Sequence, residues 1–246
     1  MEISVQLYTL RDETEKDFGA ALAEVGRMGY AGVEVADWPP FSDEEFGRRL
    51  ADAGLKLMGA HVSLDEQESH MEAKCARLQK LGCNRITIPW MPAEMMDEEY
   101  INSTVVRFNE LQKRAAACGL ELSYHNHGFE FADNKFEHLA EKCPGLKWEL
   151  DTFWVKFAGR DPLQLMREQA GRIQMIHIKD MVPGQTEVTP DIPNPPILEG
   201  CIDIVALLKL AEEQNLPWAV VEMDYPGPDP LEAVRRSRDN LRKAGY

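Results

Sequence analysis

Eight times along this chain a short apolar run gives way to a longer segment of helical periodicity, and the hand-over to the next run falls repeatedly on glycine. The apolar runs are Ile3–Tyr8, Gly32–Ala36, Lys56–Val62, Arg85–Trp90, Leu120–His125, Lys147–Asp151, Arg172–Lys179 and Trp218–Glu222. Between them the chain writes helix starts. Thr14-x-x-Asp17 stands before Phe18, Leu22 and Val25, Ser42-x-x-Glu45 is a capping box ahead of Phe46 and Leu50, and Asp161-Pro162 and Asp229-Pro230 each set an N-cap before a proline at the first helical position. Further helices are expected over 65–81, 97–118, 136–142 and 203–214, and Gly29, Gly54, Gly82, Gly119 and Gly171 close five of the helices.

Strand and helix in strict alternation make a parallel sheet with right-handed crossovers, and eight such units close on themselves. The expected fold is therefore α/β, a (β/α)8 TIM barrel occupying 1–246 as one domain. A doubly wound open sheet would carry a glycine-rich phosphate turn after its first strand, and Tyr8-Thr9-Leu10-Arg11 has none. One connection, Met181 to Gly200, is long and irregular, broken by Pro183, Pro190, Pro193, Pro195 and Pro196; loops of that length usually serve function.

Composition limits the partners. With 44% hydrophobic and 28% charged residues the chain can bury a core, and 27 basic against 42 acidic side chains give a net charge of −15, which repels nucleic acid and anionic lipid. No apolar stretch is long enough to span a membrane, and Met1-Glu2-Ile3-Ser4 does not open a signal peptide, so a cytoplasmic protein without nucleic-acid or membrane partners is expected. The five cysteines are scattered without a Cys-x-x-Cys pair and read as reduced packing thiols. Oligomeric state is left open, a homo-oligomer included.

In a barrel of this kind the C-terminal strand ends converge on one mouth. That gathers Gln6, Glu34, His61, His125, His127, Glu130, Asp151, His177, Lys179, Glu222 and Asp224. Burying several carboxylates without a cation would cost several kcal/mol apiece, so the set points to a divalent ion, and carboxylates with imidazole suit Mn²⁺, Mg²⁺, Co²⁺ or Zn²⁺ rather than a thiolate zinc site. Such a site polarises a carbonyl while a base moves the proton on the adjacent carbon. His125 and His127 are the candidate bases, with Glu222 next; Gln6, Glu34, His61, Trp90 and Lys179 are candidates to bind a small carbohydrate, and Trp90 and Trp154 could stack on a sugar face. A phosphorylated substrate is not expected, because Val182-Pro183-Gly184 and Tyr225-Pro226-Gly227 make poor anion nests.

The segments "YHNHGFEF", "ELDTFW", "IHIKD", "LEGCID" and "VVEMD", in that order along the chain, resemble the xylose isomerase-like sugar phosphate isomerase/epimerase superfamily, with a likeness to its inosose dehydratase and keto-sugar lyase branches. The resemblance implies metal ligands Asp151, His177 and Glu222. It also implies a strand-five ligand, which many members place where this chain has Ser123 or Tyr124; Glu130 is the expected substitute and His127 its competitor. The implied ion is Mn²⁺ first, then Mg²⁺, Co²⁺ or Zn²⁺. The implied activity is isomerisation or epimerisation of a free sugar or keto-sugar through an enediolate, with dehydratase or lyase action on an inosose or 3-keto-glycoside second. A non-catalytic sugar-binding barrel is the alternative of another class, and the acidic charge disfavours the abasic-site endonuclease branch.

Overall fold

A computed structural model describes residues 1–246. Its strands are β1 (Glu2–Gln6), β2 (Gly32–Val35), β3 (Lys56–Ala60), β4 (Arg85–Ile88), β5 (Glu121–His125), β6 (Lys147–Asp151), β7 (Ile173–Ile178) and β8 (Trp218–Val221). All pairings are parallel, in the order β3-β2-β1-β8-β7-β6-β5-β4, so the first and last strands lie side by side. The seam falls instead between β3 and β4, which meet through a single bridge, His61 to Thr87, where the Val62 amide donates to the Thr87 carbonyl at 2.9 Å. The sheet is thus a nearly closed (β/α)8 barrel, with helices between its strands.

These strands are buried on both faces, as parallel strands under helices must be. One face of each carries Val33, Val35, Ile86, Ile88, Leu150, Ile176 and their like into a continuous core of 62 buried residues. The other face looks into the barrel. There Met58, Met175, Trp218 and Val220 form a separate apolar plug, and two residues further along β7 and β8 stand His177 and Glu222. Period-two alternation therefore places a polar layer directly above an apolar floor.

The helices are α1 (Arg11–Met28), α2 (Asp43–Asp52), α3 (Leu64–Lys80), α4 (Ile101–Ala117), α5 (Lys135–Lys142), α6 (Thr152–Phe157), α7 (Pro162–Glu168), α8 (Ile204–Glu213) and α9 (Pro230–Lys243). Three expectations shift. β1 ends at Gln6 because the next four residues wind into a 3₁₀ turn, tied by the Gln6 side chain accepting from the Tyr8 amide at 3.2 Å. α1 starts before Thr14, and Asp17 is no N3 residue; it interrupts the helix in extended backbone and caps its continuation by accepting from the Ala20 amide. α6 went unforeseen: it begins directly after β6, capped by the Asp151 side chain, which accepts from the Trp154 amide at 3.0 Å. After α8 the left-handed turn residue is Asn215 (φ 57°) rather than glycine. No helix is long and apolar enough to cross a membrane.

The long loop after β7 is pinned by one fully buried carboxylate. Asp180 accepts from the amides of Met181 (2.9 Å), Gly200 (2.8 Å) and Ile202 (3.1 Å), joining the two ends of the loop. Asn194 ties its middle to the β8 end, donating to the Asp180 carbonyl and exchanging bonds with Tyr225. Asp180→Ala would leave buried amides without acceptors, and we expect a loss of about 2–4 kcal/mol in urea unfolding; an unchanged midpoint would show that the loop is held by other means.

Candidate active site

His177, the last residue but one of β7, faces the barrel axis, and both edges of its ring are engaged. Nδ1 lies 2.8 Å from Glu222 Oε2, and Nε2 lies 2.8 Å from Glu34 Oε2. On the Nδ1 side, one donor atom each from His125, Asp151, His177 and Glu222 falls within 4.8 Å of all the others, and all four residues are buried. β5, β6, β7 and β8, four consecutive strands of the barrel, each deliver one of them.

On the Nε2 side lies a second group, Glu34, His61 and Glu149, again within 4.8 Å of one another and of His177. Hydrogen bonds close most of this group, and Glu34 Oε1 is left buried without a partner. His61 Nε2 is 2.6 Å from Glu149 Oε2, Gln6 donates to Glu34 Oε2 at 2.9 Å, and Thr87 reaches Glu149 Oε1 at 3.4 Å. Gly59 of β3 makes the room: a Cβ there would stand 2.7 Å from Glu34 Oε1. Glu149 was not singled out from the sequence, although it precedes Asp151 by two residues on a buried strand and so must share its face; the signal was the Glu-x-Asp spacing itself.

The two groups differ in what they leave unpaired. Asp151 Oδ2 and both ring nitrogens of His125 are buried without a hydrogen-bond partner. His125 Nε2 stands 3.3 Å from Asp151 Oδ2 and 3.8 Å from Glu222 Oε2, close enough for attraction but outside hydrogen-bond geometry. Asp151 Oδ1 is spent on the cap of α6, which fixes the carboxylate and leaves Oδ2 toward the mouth. Asp151 Oδ2 already draws the Lys179 ammonium to 3.0 Å; such converging buried donors suit a cation, and two imidazoles with two carboxylates make a donor set for a divalent metal. Titration agrees. Burial holds the His125 imidazole below its usual range even against Asp151, so it is neutral and can ligate. Burial opposes ionisation of Asp151 and Glu222, yet Lys179 and the neighbouring histidines keep both carboxyls below the usual carboxylate range.

Lys179, two residues beyond His177, is 1% exposed. Its Nζ lies 3.0 Å from Asp151 Oδ2, 2.9 Å from Glu222 Oε2 and 3.0 Å from Asp224 Oδ2, and burial notwithstanding these carboxylates hold it well above the usual lysine value. A cavity of about 330 Å³ opens above, lined by His61, His125, His127, Lys179, Glu222 and Asp224, with Trp90 and Tyr8 among its other walls. Trp90 is 52% exposed, as a rim residue should be. Burial first, then the neighbouring His125 imidazole and the Lys179 ammonium, push the His127 imidazole down to about 3, so it is neutral.

Three expected placements change. Glu130 is not brought to the cluster: its Oε1 accepts from the Tyr124 hydroxyl at 2.7 Å and its Oε2 from the His127 amide at 2.8 Å, so both oxygens are spent bracing the β5 turn. The β5 side chain beside Asp151 and His177 is that of His125, expected above as a base. Gln6 and Glu34, expected to meet substrate, are fully buried on the far edge of His177 and do not line the cavity.

Comparison with known proteins places this geometry. A family model described as xylose isomerase-like TIM barrel matches residues 22–244. An inosose dehydratase of Clostridium beijerinckii is 22% identical over 276 residues, covering 94% of this chain and 91% of the relative. A sugar phosphate isomerase/epimerase from Parabacteroides distasonis superposes with a TM-score of 0.83 at 24% identity, covering 100% of this chain and 99% of that one. The IOLI protein, solved with a zinc atom, superposes with a TM-score of 0.75 at 15% identity, covering 99% and 97%. At these identities the superpositions speak to the fold.

One pair of substitutions separates the two strand-five candidates. Asp151→Asn should lower affinity for Mn²⁺ or Co²⁺ by about 10-fold or more, and Glu130→Gln should leave it unchanged. Burial raises the Glu130 carboxyl from 4.5 to about 7. A carboxyl raised on folding adds stability that is fully present below its unfolded value and is lost as pH rises through the folded one. Wild-type stability should therefore fall relative to Glu130→Gln as pH rises from about 4.5 to about 7. A flat difference, or a loss of metal affinity in Glu130→Gln, would return Glu130 to the ligand set.

Proposed function

The chain belongs to the xylose isomerase-like TIM-barrel family, and from that premise we propose that it is a divalent-metal-dependent enzyme that removes water from a free keto-sugar or an inosose-like cyclic ketone. The observation that carries this reading is geometric: His127 and Lys179 line one cavity beside the donors of His125, Asp151, His177 and Glu222. Elimination of water needs a proton acceptor for the C–H and a donor for the leaving oxygen. The relatives named inosose dehydratase, similar along 94% of this chain in the case given above, support the same reading.

A bound divalent ion would supply fixed positive charge against the oxygen of the substrate carbonyl as negative charge develops there. The chain's own groups supply the rest. His127 takes the proton from the carbon next to the carbonyl. Lys179 gives a proton to the hydroxyl on the following carbon, so that the C–O bond breaks and its oxygen leaves as water, and the product is the enol of a dicarbonyl. Asp224 holds the ammonium toward the cavity through its bond at 3.0 Å. Trp90 and Tyr8 cover the sugar's apolar face and reduce access of water. A phosphate group fits poorly here, because Lys179 already faces three carboxylates.

The fold neighbour described as a sugar phosphate isomerase/epimerase supports a second reading. There the same proton removal is followed by return of the proton to a neighbouring or opposite position, and no hydroxyl is lost. The Mn²⁺-loaded protein incubated with inososes, ketoses and 3-keto-glycosides in deuterated water separates the two. For the dehydratase, His127→Ala should lose exchange at the carbon beside the carbonyl and water loss together, by about 10² to 10⁴ in rate, whereas Lys179→Met should lose water loss and keep exchange. A wild-type protein that yields a new isomer with no unsaturated product would establish the second reading instead.

A further inference from the structure

Lys179 contacts the very carboxylate oxygens that face the metal donors. Its Nζ is 3.0 Å from Asp151 Oδ2 and 2.9 Å from Glu222 Oε2, yet its one well-directed hydrogen bond runs to Asp224 Oδ2 at 3.0 Å. Asp224 itself lies outside both donor clusters. The lysine is 1% exposed, and the face of the Trp154 indole backs it at 5.6 Å from the ring centre. The stem rises from β7 on the same face as His177. The ammonium is therefore buried between these carboxylates and the Trp154 indole rather than exposed at the rim.

We propose that Lys179 is the internal counter-ion of this centre: it neutralises Asp151 and Glu222 when no metal is bound, competes with an entering cation for those two carboxylates, and so sets how tightly the protein holds its metal. The inference rests on the metal-centre reading given above. Two buried carboxylates without a positive partner would be costly, and the ammonium removes that cost in the metal-free protein. A divalent ion placed among His125, Asp151, His177 and Glu222 would then share those carboxylates with a second positive charge, and like charges this close in a buried site repel. The lysine cannot leave at no cost, because Asp224 holds it and Trp154 closes the space behind. In the reaction proposed above the same ammonium carries the proton for the leaving hydroxyl.

Opposite signs distinguish this from a packing role. Lys179→Met removes the competitor, and its affinity for Mn²⁺, measured by calorimetry or by the electron paramagnetic resonance of free Mn²⁺, should rise on the order of 10-fold. Its metal-free form should melt lower than wild type, since Asp151 and Glu222 lose their partner, and the rise in melting temperature on adding Mn²⁺ should be larger than in wild type. Asp224→Asn removes a nearby negative charge and leaves the ammonium to lean wholly on Asp151 and Glu222, so Mn²⁺ affinity should fall. A lysine that only packs would lower affinity when replaced. Weaker or unchanged Mn²⁺ binding in folded Lys179→Met overturns the proposal; should that variant not fold, Mn²⁺ affinity in Asp224→Asn that equals or exceeds wild type does so. Wild-type protein that binds neither Mn²⁺ nor Zn²⁺ overturns the metal centre itself, and this inference with it.

Discussion

Both nitrogens of one buried imidazole carry the organisation of this barrel. His177 holds Glu222 at 2.8 Å through Nδ1 and Glu34 at 2.8 Å through Nε2, so its ring cannot turn without breaking contacts with β2 and with the β8 end together. Burial would keep such a ring neutral. Glu149 and Glu222 overcome it and hold His177 well above the usual histidine value, so the ring lies in the field of carboxylates on both edges. Carboxylates behind a ligating imidazole fix its tautomer and raise its basicity, a familiar role for groups just outside a metal's own ligands. Glu34, itself raised to about 7 by burial and then by Glu149, is held in place by Gln6 and by the space that Gly59 leaves. Five strands thus stand behind one donor atom.

The rest of the architecture keeps this charge density tolerable. Four buried acids (Glu34, Glu149, Asp151 and Glu222) face four bases (His61, His125, His177 and Lys179) within one polar layer. Beneath it Met58, Met175, Trp218 and Val220 exclude water, and low dielectric strengthens every pairing above. Above it, the loop after β7 is fastened at Asp180 and Asn194, and Trp90 and Tyr8 stand at the rim. Rigidity below and exposure above suit the proposed proton transfer: donors held to a narrow geometry, and an opening of about 330 Å³ above them.

Much of this could be read from residues alone. Eight alternating units specify a parallel barrel, because apolar runs buried on two faces need helices on one side and one another on the other. The strand-end position of Asp151, His177 and Glu222 follows from the barrel without further information. Three things did not follow. Glu149 lies inside β6 rather than at its end, and attention to strand ends passed over it. Glu130 has the right side chain a few residues beyond β5, but the 3₁₀ turn at Phe129–Asn134 points its carboxylate back to Tyr124 and the His127 amide, a tertiary outcome that no spacing encodes. His125 and His127 are chemically alike in the sequence; only burial and neighbours separate them, one among carboxylates at 3.3 and 3.8 Å and the other against Trp154 at the cavity wall.

The position of a bound ion tests this picture most directly. Crystals soaked with Mn²⁺ or Zn²⁺, with diffraction collected on either side of the metal's absorption edge, would locate the ion without reference to any assumed site. A single anomalous peak roughly 2.0–2.3 Å from donor atoms of His125, Asp151, His177 and Glu222 is the expected result. A peak on the Glu34, His61 and Glu149 side of His177, or one that draws Glu130 out of its bonds to Tyr124 and His127, would contradict it.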